Sequence, residues 1–121
     1  MKKRILIVED DETLLSLESI LLTSKGYEVK GVMDGTSALE AVASTKPDLV
    51  LLDIMLPGVD GYEVCRHIKA NQEARHIPVV MLSANNRDED FVNGEQAGAD
   101  WYITKPFKSA MVIETIRRLL S

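Results

Sequence analysis

Five short apolar runs, Arg4–Val8, Tyr27–Val32, Leu49–Leu52, Val79–Leu82 and Trp101–Thr104, alternate along the chain with longer segments of helical periodicity. Three of the runs are continuously apolar, as strands are when a parallel sheet is covered on both faces. Between them, Leu14, Leu17 and Leu21 repeat at i, i+3, i+7, and Leu39, Val42 and Ala43 at i, i+3, i+4. Val64 and Ile68 form another stripe, and Ile113, Ile116 and Leu120 mark a last helix. The punctuation agrees. Gly26 follows the first helical segment, where a left-handed residue is favoured, and Pro47 stops the second. Asp60 stands three before Glu63, and Asn86 three before Glu89, the spacing of capping boxes opening a third and a fourth helix. Five βα units joined by right-handed crossovers give a parallel sheet with helices on both faces.

The two strand orders open to such a chain are flavodoxin-like and Rossmann-like, and in either the ligands sit at the carboxyl ends of the strands. With 121 residues the chain reads as one domain, residues 1–121. A chain of this size buries roughly two-thirds of its unfolded surface without needing disulfides or metals to hold it. No apolar stretch approaches the ~20 residues of a membrane span, and the apolar part of "MKKRILIVEDD" stops after Val8, short of a secretory signal. The single cysteine, Cys65, has no internal partner, which fits a reducing cytoplasm. It is expected simply to pack. The net charge of −5, with only small basic clusters at Lys2–Arg4 and Arg117–Arg118, speaks against direct nucleic-acid binding.

Chemistry gathers where the strand-end rule puts it. The first run is followed by Glu9, Asp10 and Asp11, the third by Asp53, the fourth by Ser83, Ala84 and Asn85, and the fifth by Lys105 and Pro106. The second ends blandly in Met33-Asp34-Gly35, a turn. Taken singly, each is ordinary: an acidic helix start, a turn former, a loop serine, a surface lysine. Together they put several carboxylates, a hydroxyl and an ammonium on one rim. Crowded carboxylates repel and need a proton or a cation between them. An all-oxygen donor set with room for water suits Mg2+ or Mn2+, and His67 and His76 sit at unrelated positions that offer no zinc set. A lysine and a hydroxyl suit the equatorial oxygens of a phosphoryl group, whose transfer needs positioning and charge stabilisation. A carboxylate can serve as the nucleophile, giving an acyl phosphate.

The segments "ILIVEDDE", "DLVLLDIMLPGVDG", "VVMLSA" and "GADWYITKPF", in order and correctly spaced, resemble the receiver domain of bacterial two-component response regulators over essentially the whole chain. The resemblance implies a flavodoxin-like (βα)5 three-layer sandwich with a five-stranded parallel sheet in the order 2-1-3-4-5. It implies that Asp53 accepts a phosphoryl group from a sensor histidine kinase or a histidine phosphotransfer domain. Glu9 and Asp10 match the acidic pair that holds Mg2+, together with Asp53 and the backbone carbonyl of Met55. Ser83, the backbone N–H of Ala84 and Lys105 match the phosphoryl-binding groups, and Ser83 and Tyr102 the switch pair. Phosphorylation would then reshape the face built from the fourth helix, fifth strand and fifth helix. Met55 and Asn85 stand where side chains tune the access of water to the acyl phosphate. Since Met55 cannot orient water, slow-to-moderate self-dephosphorylation is expected.

The resemblance implies a phosphoacceptor switch that takes part in its own phosphorylation and dephosphorylation, rather than a turnover enzyme. The expected setting is the bacterial cytoplasm. No membrane partner is implied, and the expected state is a monomer or a phosphorylation-dependent dimer. The downstream output domain or protein is left open. Three alternatives share the fold logic. An aspartyl-nucleophile phosphohydrolase would carry a second Asp two residues after the nucleophile, where Met55 stands. An unphosphorylated receiver-fold interaction module would not need every site residue present. A flavodoxin would need a phosphate cradle where Glu9-Asp10-Asp11 repel an anion.

Overall fold

The computed structural model describes residues 2–57, 59–83, 96–104 and 108–121, with the side chain of Ser83 left out. Five parallel strands form one sheet: β1 (Arg4–Val8), β2 (Glu28–Val32), β3 (Leu49–Asp53), β4 (Val79–Ser83) and β5 (Trp101–Thr104). Their spatial order is β2-β1-β3-β4-β5, the flavodoxin-like one of the two orders and the one the family resemblance implies. Three helices, α1 (Glu12–Ser24), α2 (Gly35–Thr45) and α3 (Gly61–Ala70), and a C-terminal helix (Ser109–Leu119) cover the sheet. The expected fourth helix, opening at Asn86, lies outside the described residues. Among those described, no helix is long and apolar enough to cross a membrane.

The alternation of side chains along each strand divides the core in two. Leu6, Val8, Val50, Leu52, Val79 and Met81 face α2 and α3, where Ala38, Val42, Val64, Cys65 and Ile68 meet them. Ile5, Ile7, Leu49, Leu51, Val80, Leu82 and Ile103 face the other side, against Leu22 of α1 and Val112 and Ile116 of the C-terminal helix. All five residues of β3 are buried, as the central position demands. Each fully buried aliphatic side chain contributes about 1.5–3 kcal/mol.

The helix ends follow the sequence signals with one refinement. Asp60 caps α3, its Oδ1 accepting the Glu63 N–H at 2.9 Å, and Gly26 takes φ +95 just after α1. At the end of α2, the left-handed residue is Lys46 (φ 47), one before the expected Pro47 stop. Two of the helical stripes are corrected. Of Leu14, Leu17 and Leu21, Leu17 is 58% exposed, and the residue that α1 buries fully is Leu22. On α2, Ala43 is exposed while Ala38, Ala41 and Val42 are buried. In both helices leucine or alanine occurs on more than one face, so the apolar pattern alone admits two rotations. Contact with the sheet selects one.

Candidate metal and phosphoryl site

Each acidic residue reaches the rim through a strand end. β1 pairs with β3 from Ile5–Leu49 to Val8–Leu52, which brings the residue after Val8 beside the last residue of β3. The backbone N–H of Glu9 still bonds to Val32 of β2 at 3.0 Å, so Glu9 is anchored as an extension of the sheet. Asp53 is the terminal residue of β3, paired with Leu82, and it is in the strand rather than just beyond it. Glu9 is 2% exposed and Asp53 7%, the only buried charged side chains among the described residues. Asp10 is exposed. One carboxylate oxygen from each of Glu9, Asp10 and Asp53 lies within 4.8 Å of the others.

The hydrogen bonds around this cluster orient its oxygens. The Met55 N–H donates to Asp53 Oδ1 at 3.0 Å, and the Asp11 N–H donates to Glu9 Oε2 at 3.1 Å. Asp11 itself caps α1, its Oδ1 accepting from Thr13 at 2.9 Å and Leu14 at 3.2 Å, the helix-start role expected of it. The electrostatics are those of carboxylates crowded together out of water. Burial pushes the Glu9 carboxyl up to about 8, opposed by the Asp11 N–H. A hydrogen bond to Asp53 and repulsion by Asp53 and Glu18 add to the rise. Two buried carboxylates and a third, exposed to water, all oxygen donors, fit a hard divalent cation such as Mg2+. Held there, it would take the place of the proton that Glu9 otherwise keeps.

Glu18 is the contributor that motif reading missed. It lies half-buried two turns into α1 and adds to the field on Glu9. Its signal was available: it is the one charged member of the Leu15, Glu18, Leu22 face, at i, i+3, i+7.

The other rim residues divide by where they fall. Ser83 ends β4 opposite Thr104 of β5, so the fourth and fifth strands finish level with each other. The Ser83 side chain, Ala84, Asn85 and Lys105 lie outside the described residues. Tyr102 is half-buried on β5 and packs against the cluster on the α2–α3 side of the sheet. The Met55 side chain is 67% exposed.

Comparison with known proteins assigns these features to one class. Residues 5–117 match the response regulator receiver domain, and the chain belongs to that family. Among its relatives, the DNA-binding response regulator MtrA of Mycobacterium tuberculosis is 44% identical over 120 residues, which are 99% of this chain and 51% of MtrA. The response regulator PleD of Caulobacter vibrioides is 42% identical over 119 residues, 98% of this chain and 26% of PleD. The chain thus spans about half, or less, of the length of these curated relatives. Among solved structures, the receiver domain of a sensor histidine kinase from Pseudomonas aeruginosa superposes with a TM-score of 0.92 at 35% identity. That match covers 99% of this chain and 98% of the other, which holds a magnesium ion in its active-site cleft.

Proposed function

We propose that this receiver domain is a Mg2+-dependent phosphoacceptor switch in a phosphorelay, with Asp53 as the acceptor. The observation that carries the reading is the meeting of buried Glu9 and Asp53 with exposed Asp10 inside 4.8 Å at the ends of the two central strands. Glu9, Asp10, Asp53 and the Met55 carbonyl would hold the cation, which would supply charge neutralisation between the acidic groups and the incoming phosphoryl oxygens. The Met55 N–H on Asp53 Oδ1 leaves the other carboxylate oxygen to attack phosphorus. The O–P bond forms as the N–P bond of a phosphohistidine breaks, and the imidazole nitrogen keeps the electron pair and takes a proton from water. The donor is a sensor histidine kinase or a histidine phosphotransfer domain. Lys105, the Ser83 hydroxyl and the Ala84 N–H stabilise the equatorial oxygens.

Ser83 and Tyr102 then move together and change the face formed by the fourth helix, β5 and the C-terminal helix. Exposed, apolar Met55 gives an attacking water no hydrogen bond, so the acyl phosphate is lost slowly to moderately fast, with Asn85 the second tuning position. The domain acts as a single cytoplasmic unit, a monomer or a phosphorylation-dependent dimer.

Intact-mass spectrometry after incubation with acetyl phosphate and Mg2+ tests the reading. One phosphoryl adduct is expected, lost in Asp53→Ala and kept in Cys65→Ser. An adduct that survives Asp53→Ala refutes the assignment. A phosphoryl lifetime equal in the parent, Met55→Ala and Met55→Asn would remove the role given to Met55.

A further inference from the structure

The second strand contributes no side chain to the rim, and its end, Met33-Asp34-Gly35, reads as a plain turn. The structure gives Gly35 a position that a turn does not require. It is buried at the first position of α2. A Cβ built there would lie 2.4 Å from the Val59 carbonyl oxygen, 2.8 Å from Val59 Cβ and 3.1 Å from Val64 Cγ2. Gly61, buried at the first position of α3, is in the same situation. Its Cβ would lie 2.6 Å from the Asp53 carbonyl oxygen and 2.7 Å from Ile54 Cα. Neither glycine is among those with positive φ, which are Gly26 and Gly98. Their need is for space against backbone. Gly31 is the useful contrast: a Cβ there meets only the end of the Leu15 side chain, at 2.8 Å, which can turn away.

These close approaches fall on the two ends of the β3–α3 loop, the segment that carries Met55. Gly61 lies against its beginning, where the Gly61 N–H donates to Ile54 at 3.0 Å and the Ile54 N–H donates to Leu82 at 3.1 Å. Gly35 lies against its far end, at Val59. Neither helix start can easily retreat. Asp34 caps α2 by accepting the Ser37 N–H at 2.7 Å and its hydroxyl at 3.0 Å, and Asp60 caps α3. The loop in turn sets the Met55 N–H against Asp53 Oδ1.

We infer that Gly35 and Gly61 form a backbone clamp on the β3–α3 loop. Gly35 thereby acts as a positioning residue for the Asp53 site from a helix that supplies none of its ligands. The inference rests on the metal-site reading above. Its physical basis is that ligand-bearing backbone is only as well placed as what supports it, and displaced supports cost metal affinity.

The test compares Gly35→Ala with Gly31→Ala and the parent by Mg2+ titration of amide NMR shifts, with melting temperatures measured alongside. Gly35→Ala should bind Mg2+ about ten-fold more weakly, the lower end of what a disturbed metal-ligand support costs. Gly31→Ala should keep the parent's affinity whatever happens to its melting temperature. A folded Gly35→Ala with the parent's affinity overturns the clamp, and so does an equal loss in Gly31→Ala. Should Gly35→Ala not fold, Val59→Gly removes the Val59 Cβ that faces Gly35 and frees the backbone at the far end of the loop. It should weaken Mg2+ binding in the same direction, and unchanged affinity there overturns the inference. A parent that binds no Mg2+ overturns the site reading itself, whereas a parent that binds beside an undiminished variant overturns the clamp alone.

Discussion

Replacing Glu9 by glutamine should make the metal-free protein markedly less sensitive to alkali. Glu9 titrates near 4.5 when unfolded and near 8 when folded, raised first by burial and then by Asp53. Between these values the folded chain holds a proton that the unfolded chain lacks. The resulting stabilisation is complete below about 4.5 and is lost as the pH rises through about 8. Each pH unit of that window removes about 1.4 kcal/mol, so the full window has a ceiling of about 5 kcal/mol. At about 3–5 °C per kcal/mol for a domain of this size, that ceiling is about 15–25 °C, and a fall of about 10 °C in EDTA is expected once solvent screening is allowed for. Scanning calorimetry from about pH 5 to about pH 8.5 measures it. Glu9→Gln, a neutral side chain of the same shape, should flatten the curve over this range. Millimolar Mg2+ should flatten it in the parent by replacing the proton, with Mg2+ affinity rising with pH up to about 8. An equally steep fall in Glu9→Gln would refute the assignment of the buried proton to Glu9.

Three further outcomes are expected. Cys65 is fully buried, and burial pushes its thiol up to about 11, so a disulfide reagent should leave it untouched until the chain is unfolded. Leu17→Ala, on an exposed face of α1, should cost under about 0.5 kcal/mol in denaturant melts. Leu22→Ala, at 1% exposure in the core, should cost about 2–5 kcal/mol; equal costs would contradict the rotation of α1. Asp60→Ala removes the α3 cap and should cost about 1 kcal/mol, with Asp60→Asn or Asp60→Ser restoring most of it.

The strands and the acidic rim were legible because their signals are local. A continuously apolar run such as Leu49–Leu52 has few conformations that bury all its side chains, and β3 is accordingly buried throughout. The position of Asp53 at its tip then followed from the strand-end rule. Helix rotation was less legible. Leu14, Leu17 and Leu21 share a stripe, yet Leu15 and Leu22 offer a second one, and nothing within α1 ranks the two.

By itself, the sequence determined the βα alternation, the strand limits to within a residue and the acidic, hydroxyl and lysine residues that follow the strands. It also carried the motif spacing that marks the family. All of these depend on neighbours along the chain. The tertiary structure decided which face of α1 is buried, that Glu9 and Asp53 are both withdrawn from water, and that Glu18 adds to the field on Glu9. It decided too that Gly35 stands against the loop leaving Asp53. Each depends on elements distant in sequence being brought together, since desolvation and close packing are properties of the space between elements.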